Sequence, residues 1–509
     1  MLPMSTNSRS TAAADTPKVA TGVVGLDDIL VGGFPRNRMY LLQGDPGVGK
    51  TTMAIQFLLT GAAAGERCLY VTLSETREEL HAVARSHGWS LDGLAVYEMY
   101  AGEALTAPEE EENTLYVPAE VELGERMRAL LEEVDRVKPS RIVLDSCSEL
   151  RLLAQSPLRF RRQLLALKAD LVRRECTVLL LENPTSVGGD PLLQSLVHGV
   201  VSMEQLSPIY GAERRRLRVT KLREVAFRGG FHDMKIEKEG VVVFPRLVAS
   251  EHKEPFAQTT FGSGVVELDA LLGGGLDRGT SCLLVGPAGS GKSALATQYA
   301  VAAAQRGESS AFYAFDEGVG TLMARAAATG MDLAPHLQSG KIHVQQVDPA
   351  ELSPGEFIAS IRVQVEEHNA RLVVIDSLNG YLQAMPEEQF LTAQLHEVLS
   401  YLRQQGVVTI LVMAQHGLLG HMTTPIDVSY LADTVVLTRY FEAEGRVRKA
   451  ISVAKKRSGR HEDTIREFGL NEHGLRVGEP LAEFHGVFTG VPTYDGQPQA
   501  ATNLDGARD

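Results

Sequence analysis

Short apolar runs of strand length alternate along the chain with stretches whose apolar residues recur at helical spacing. Met39-Tyr40-Leu41-Leu42 leads through a Gly-rich segment into Met53-Ala54-Ile55-Gln56-Phe57, and Cys282-Leu283-Leu284-Val285 leads in the same way into Ala294-Leu295-Ala296-Thr297-Gln298. Further runs, Leu69–Leu73, Ile142–Leu144, Ala311–Phe315 and Leu372–Ile375, have the same apolar character and length. Such runs separated by helical stretches predict an α/β fold, a mostly parallel sheet flanked by helices.

The pattern occurs twice. Thr21-Gly22-Val23-Val24-Gly25-Leu26-Asp27 returns as Ser263-Gly264-Val265-Val266-Glu267-Leu268-Asp269; Arg141–Ser146 is answered by Arg371–Ser377, and Lys221-Leu222-Arg223 by Lys455-Lys456-Arg457. From Lys50 to Lys292 is 242 residues, from Asp145 to Asp376 is 231 and from Lys221 to Lys455 is 234. A nearly constant offset means duplication of a whole domain. The expected organisation is a disordered tail over 1–16, a first domain over 17–249, a polar linker over 250–258, a second domain over 259–484 and a C-terminal tail over 485–509. The run Glu109-Glu110-Glu111-Glu112 reads as a solvated loop.

Composition narrows the class. The 509 residues carry 50 basic and 64 acidic side chains, a formal charge of −14, so non-specific binding to nucleic acid or an anionic membrane has no global electrostatic support. Cys68, Cys147, Cys176 and Cys282 stand far apart in apolar surroundings and read as reduced core residues. No charged-then-apolar leader and no run of membrane-spanning length is seen, which sets a cytoplasmic expectation.

The Gly-rich segments carry the chemistry. Gly44-Asp45-Pro46-Gly47-Val48-Gly49-Lys50-Thr51 and Gly286-Pro287-Ala288-Gly289-Ser290-Gly291-Lys292-Ser293 both read G-x-x-x-x-G-K-[S/T]. Glycines let successive backbone N–H groups turn inward around phosphate oxygens, and the helix N-terminus adds positive potential there. Lys50 and Lys292 reach the β- and γ-phosphates, Thr51 and Ser293 ligate Mg2+, and Thr52 and Ala294 follow on the helix, so ATP with Mg2+ is expected at both loops. Asp145 and Asp376, each ending an apolar run, stand where a Walker-B carboxylate holds the metal; the competing reading is a turn-capping acid. Glu75, and the pair Asp316-Glu317, follow the strand after each loop helix and are candidates to orient or deprotonate an attacking water, against the alternative of solvated strand-end acids. Lys221 with Arg223, and Lys455 with Arg457, alternate along strand-like segments and so point to one side. Aimed at a neighbour's γ-phosphate they would act as arginine fingers; exposed edge charges are the alternative.

Tandem units with T-G-V-x-x-L-D, the phosphate loop, the strand-end acids, the I-D-S strand, K-x-R, Ile465-Arg466-Glu467-Phe468 and the F-x-G-V-x-T-G-V-P tail ending at Pro492 resemble the KaiC family of circadian clock ATPases and autokinases, within the RecA superfamily. The resemblance runs from about Thr21 to Pro492. It implies two RecA-like P-loop domains, a homohexamer of two stacked rings with ATP at subunit interfaces, and Lys-Arg pairs acting from the adjacent subunit. It further implies hydrolysis in the first ring, slow phosphate transfer to hydroxyls in the second, and possible clock or signalling partner proteins. Two departures stand out. The first acidic position of the first domain is Ser74, leaving Glu75 alone. The adjacent Ser-Thr acceptor pair reads Ser429-Tyr430, so single-site serine autophosphorylation at Ser429 is expected. A DNA-dependent RecA-like or hexameric-helicase motor, and a nucleotide-gated signalling scaffold with little catalysis, are the alternatives.

Overall fold

The computed structural model describes residues 17–99, 118–184, 190–208, 211–383, 391–415, 429–443, 445–487 and 493–494. The expected tail over 1–16, the run Glu109–Glu112 and nearly all of the segment after Val487 lie outside them. The chain divides into two compact units, Met1–Arg246 and Leu247–Asp509. Residues 250–258 belong to the second unit, where the Gln405 amide donates to the His252 carbonyl (2.5 Å).

In the first unit nine strands form one sheet: β1 (Met39–Gly44), β2 (Cys68–Thr72), β3 (Ala95–Glu98), β4 (Arg141–Asp145), β5 (Thr177–Glu182), β6 (Gly199–Leu206), β7 (Arg214–Leu222), β8 (His232–Glu237) and β9 (Gly240–Phe244). Their order is β9-β8-β7-β6-β1-β5-β4-β2-β3. The six strands from β6 to β3 run parallel, and β7, β8 and β9 extend the sheet antiparallel. The second unit repeats this arrangement strand for strand with β10 (Ser281–Pro287), β11 (Ser309–Ala314), β12 (Ile342–Gln346), β13 (Ala370–Asp376), β14 (Val408–Gln415), β15 (Thr434–Ala443), β16 (Arg446–Lys456), β17 (Arg466–Asn471) and β18 (Gly474–Pro480), ordered β18-β17-β16-β15-β10-β14-β13-β11-β12. The expected tandem α/β domains are present.

The strands read as continuous apolar runs because both faces of each sheet are covered. Alternate residues go to opposite layers. Tyr40, Leu42, Tyr70, Val143, Leu179 and Leu181 enter one core, while Met39, Leu41, Leu69, Val71, Ile142, Leu144, Val178 and Leu180 enter the other. The first layer is closed by α1 (Lys50–Ala63) and α2 (Arg77–Ser86), the second by α3 (Pro118–Val137), α4 (Cys147–Ala154) and α5 (Pro157–Arg173). Helix α1 buries Met53, Ala54, Ile55, Phe57 and Leu58 around its circumference, the mark of an interior helix. Each large apolar side chain so buried contributes about 1.5–3 kcal/mol. In the second unit α6 (Lys292–Gln305) takes the same place and buries Leu295, Tyr299 and six alanines.

The shared T-G-V-x-x-L-D segment is structural. Thr21 N–H donates to Asp27 Oδ1 (2.9 Å) and Ser263 N–H to Asp269 Oδ1 (2.7 Å), while the Thr21 and Ser263 hydroxyl oxygens accept from Val23 and Val265 N–H. These bonds fold the turn that leads toward β1 and β10. All four cysteines are free and buried.

His232 at the start of β8 is buried with both ring nitrogens committed: Nδ1 accepts the Arg246 N–H (2.8 Å) and Nε2 donates to the Arg228 carbonyl (3.1 Å). Only the neutral ring satisfies both, and burial lowers its pKa from 6.5 to about 4. Between those values the unfolded chain binds the extra proton and the fold does not, so stability falls as pH falls through this window. The unfolding free energy of the first unit, measured by urea titration, should drop by about 2–3 kcal/mol from pH 7 to pH 4 on this account, and the pH dependence should flatten in His232→Gln.

Candidate functional site

Each sheet presents its candidate residues at two opposite edges. At the carboxyl edge of the first, the chain leaves β1 at Gly44 and turns into α1 through Gly47 and Gly49, whose φ values of 82° and 104° suit glycine. A Cβ on Gly49 would stand 2.8 Å from Ile236 Cδ1, whereas one on Gly47 would meet nothing within 4 Å. Gly49 serves backbone geometry and Gly47 faces open space. Lys50 Nζ folds back to donate to the Gly44 (2.6 Å) and Asp45 (2.8 Å) carbonyls. Lys292 repeats this with Gly286 (2.9 Å) and Pro287 (2.7 Å), in a loop that turns through Gly289 and Gly291. Burial pulls both ammonium pKa values down, that of Lys292 to about 8. Thr52 and Ala294 are buried in the first turn of each helix.

Asp145 and Asp376 end β4 and β13, each followed by a cis peptide to serine. Thr51 Oγ1 donates to Asp145 Oδ2 at 3.3 Å, and Ser293 is hydrogen-bonded to Asp376. Burial pushes both carboxyls above the ordinary aspartate range, and the bonds from Thr51 and Ser293 pull the other way. The donor set fits Mg2+, which is held by one or two carboxylates and otherwise by water and substrate phosphate oxygens. Among the described residues no cluster of three or more His, Cys, Asp or Glu forms a protein-only metal cage.

Sequence reasoning missed several neighbours. The Tyr70 hydroxyl donates to Asp145 Oδ2 at 2.6 Å, and the matching residue in β11 is Phe312. Glu182, ending β5 beside the loop strand, is buried, its carboxyl raised to about 7 by burial, and it pairs with Arg151 (2.5 Å). Its strand, Leu-Leu-Leu-Glu, carries the same apolar-then-acid signature that singled out Asp145. By strand register Met413 takes the place of Glu182 in the second unit.

The strand-end acids lie two and three residues beyond β2 and β11. Glu75 is fixed by Thr72, whose Oγ1 accepts the Glu75 N–H (2.9 Å) and donates to its carbonyl (2.8 Å), and by the Thr76–Glu79 capping box that opens α2. Its Oε2 is buried without a hydrogen-bond partner, and burial, with Asp145 and Glu79 nearby, raises its carboxyl to about 6. In the second unit Asp316 accepts from the Ser377 hydroxyl, and Glu317 is gripped by Arg325 through Nε (3.2 Å) and Nη2 (2.8 Å).

The Lys-Arg pairs lie at the other edge. Lys221 Nζ donates to the Gln194 (2.7 Å) and Val197 (2.8 Å) carbonyls and Arg223 Nη2 to that of Ser195 (3.3 Å). Lys455 Nζ donates to Ser429 (3.0 Å) and Ala432 (2.9 Å) carbonyls and Arg457 Nη2 to that of Tyr430 (2.9 Å). Arg223 N–H bonds the His198 carbonyl, and His198 N–H that of Met39, five residues before Gly44. At about 3.3 Å per residue the pair is about 17 Å from its own phosphate loop. Ser429 and Tyr430 are exposed on the same amino edge, in the turn leading to Asp433, a buried carboxylate that accepts both the N–H and hydroxyl of Ser281 (3.1 and 3.2 Å) and is paired with Arg403 (2.9 Å).

Comparison with known proteins agrees with this geometry. The family model "ATPase: KaiC" matches twice, over residues 19–248 and 261–482. The chain is 26% identical over 494 residues to the circadian clock protein KaiC3 of Synechocystis sp., covering 95% of this chain and 96% of that protein. It is 27% identical over 487 residues to the circadian clock oscillator protein KaiC of Synechococcus elongatus (94% and 92%), and 26% over 486 residues to that of Acaryochloris marina (94% and 92%).

A buried lysine with a lowered pKa loses charge, and with it hold on a triphosphate, as pH rises. Mg·ATP affinity at the second loop, followed by fluorescent nucleotide titration, should weaken from pH 7 to pH 9, and Lys292→Ala should lose at least tenfold at pH 7 and the pH response with it.

Proposed function

The chain belongs to the KaiC ATPase family, and on that premise we propose that it is a homohexameric, Mg2+-dependent ATPase that also transfers phosphate to its own Ser429, acting in timing or signalling in the cytoplasm with clock or signalling partner proteins. The observation that carries this reading is the separation of each phosphate loop from the Lys-Arg pair of its own sheet. Placed side by side with another copy, the amino edge of one sheet would meet the carboxyl edge of the next. Lys221 and Arg223, or Lys455 and Arg457, would then complete a neighbour's site and offset the negative charge that grows on the transferring phosphate.

The roles follow from position. Lys50 and Lys292, with the loop N–H groups, bind the phosphates; Thr51 with Asp145, and Ser293 with Asp376, would hold Mg2+, whose charge would offset that of the phosphates. Glu75, its Oε2 without a partner, takes a proton from the water attacking in the first unit. In the second, Asp316 takes the proton of Ser429, the acceptor presented to a neighbour's nucleotide, and Glu317 is the carboxylate placed for an attacking water. Ser429 is too far from its own loop for transfer within one chain.

Two outcomes test this. In a mixture of Lys292→Ala subunits, intact at Ser429, and Ser429→Ala subunits, intact at the loop, phosphate should appear by mass spectrometry on Ser429 of the Lys292→Ala chains; its absence while wild type labels Ser429 overturns transfer between subunits. Glu75 acts as a base only when ionised, so hydrolysis by the first unit, measured in Lys292→Ala, should fall about tenfold per unit as pH drops below about 6. Glu75→Gln should lower it by about 100-fold at pH 7.5.

A further inference from the structure

Superposing the two units by their matching strands sets Glu75 opposite Glu317, and Val83 of α2 opposite Arg325 of α7 (Val319–Ala328). The difference is chemical. Val83 packs on the apolar core and leaves Glu75 with a buried oxygen that nothing bonds. Arg325 closes a fork on both oxygens of Glu317, at 3.2 and 2.8 Å, and its charge also reaches Asp376. A side-on guanidinium occupies the lone pairs by which a carboxylate takes a proton most readily, and fixes the carboxylate plane.

We propose that Arg325 sets the fate of the phosphoryl group in the second unit: by engaging both oxygens of Glu317 it denies water that base, so that phosphate passes instead to the Ser429 hydroxyl, whose proton goes to Asp316. Arg325 is a positioning residue, and the inference rests on the reading of the second unit as the phosphate-transferring one. Hydrolysis there requires a water oxygen to bond to the γ-phosphorus while the bond to the β,γ-bridging oxygen breaks, ADP leaving with that electron pair and a water proton passing to a carboxylate. With Glu317 clamped, that proton has no acceptor at Glu317. The first unit has no such clamp on Glu75 and hydrolyses freely.

The test uses full-length chains in a Glu75→Gln background, which quiets the first unit. Adding Arg325→Val, the residue type the first unit carries there, should raise ADP release about tenfold and lower the phosphoserine formed per ADP by a similar factor. Adding Glu317→Gln as well should abolish the rise, a dependence that a packing role for Arg325 would not produce, and Arg325→Lys should fall between. Unchanged or lower ADP release from an Arg325→Val chain that still assembles overturns the proposal, as does a rise that survives Glu317→Gln. Should Arg325→Val fail to assemble by size exclusion, Arg325→Gln is read by the same criteria. Absence of phosphoserine in the parent chain would instead sink the assignment of Ser429, while the ADP rates still decide the clamp.

Discussion

The length of a six- to seven-residue strand governs this molecule. In each unit β1 or β10 carries a phosphate loop at its carboxyl end, while the antiparallel strand two places along the sheet returns a Lys-Arg pair to the level of that strand's amino end. The two halves of the chemistry therefore stand about 17 Å apart across one sheet. Both are rigidly held, the loop by its lysine bonding its own carbonyls and the basic pair by bonding the carbonyls of a turn. Neither can swing to the other without breaking the layer that supports it.

Duplication kept this frame and changed its contents. Topology, register and the loop-to-helix turn are repeated, yet the surroundings of the two Walker-B-like aspartates differ in named atoms. Asp145 receives a phenol from Tyr70 where the second unit carries Phe312, and Glu182 beside Arg151 is exchanged for Met413. Glu75 keeps an oxygen without a partner where Glu317 is forked by Arg325. One backbone thus supports a first pocket whose Glu75 keeps a free carboxylate oxygen and a second whose matching Glu317 is held by an arginine.

Much of the frame could be read from the residues alone, since apolar runs, Gly spacing and strand-end acids are local signals that report the backbone directly. The phosphate loops, the aspartates at Asp145 and Asp376 and the shared basic pairs fell to such signals. Arg325, Tyr70 and Arg151 did not. Arg325 reaches Glu317 from the second turn of the following helix, and a single arginine at a half-buried helical position resembles any solvated cation. Tyr70 looks like core in a strand of core residues, and only the register of β2 against β4 shows its hydroxyl meeting a carboxylate. These contacts depend on pairings between distant segments, which no local pattern encodes.

The carboxylate of Asp433 fastens the turn bearing Ser429 and Tyr430 to Ser281, the first residue of the strand whose far end opens into the second phosphate loop. β10 is hydrogen-bonded on both sides, so it behaves as a stiff rod through the centre of the sheet. Turn and loop are therefore the two ends of one seven-residue strand whose pairing runs unbroken between them.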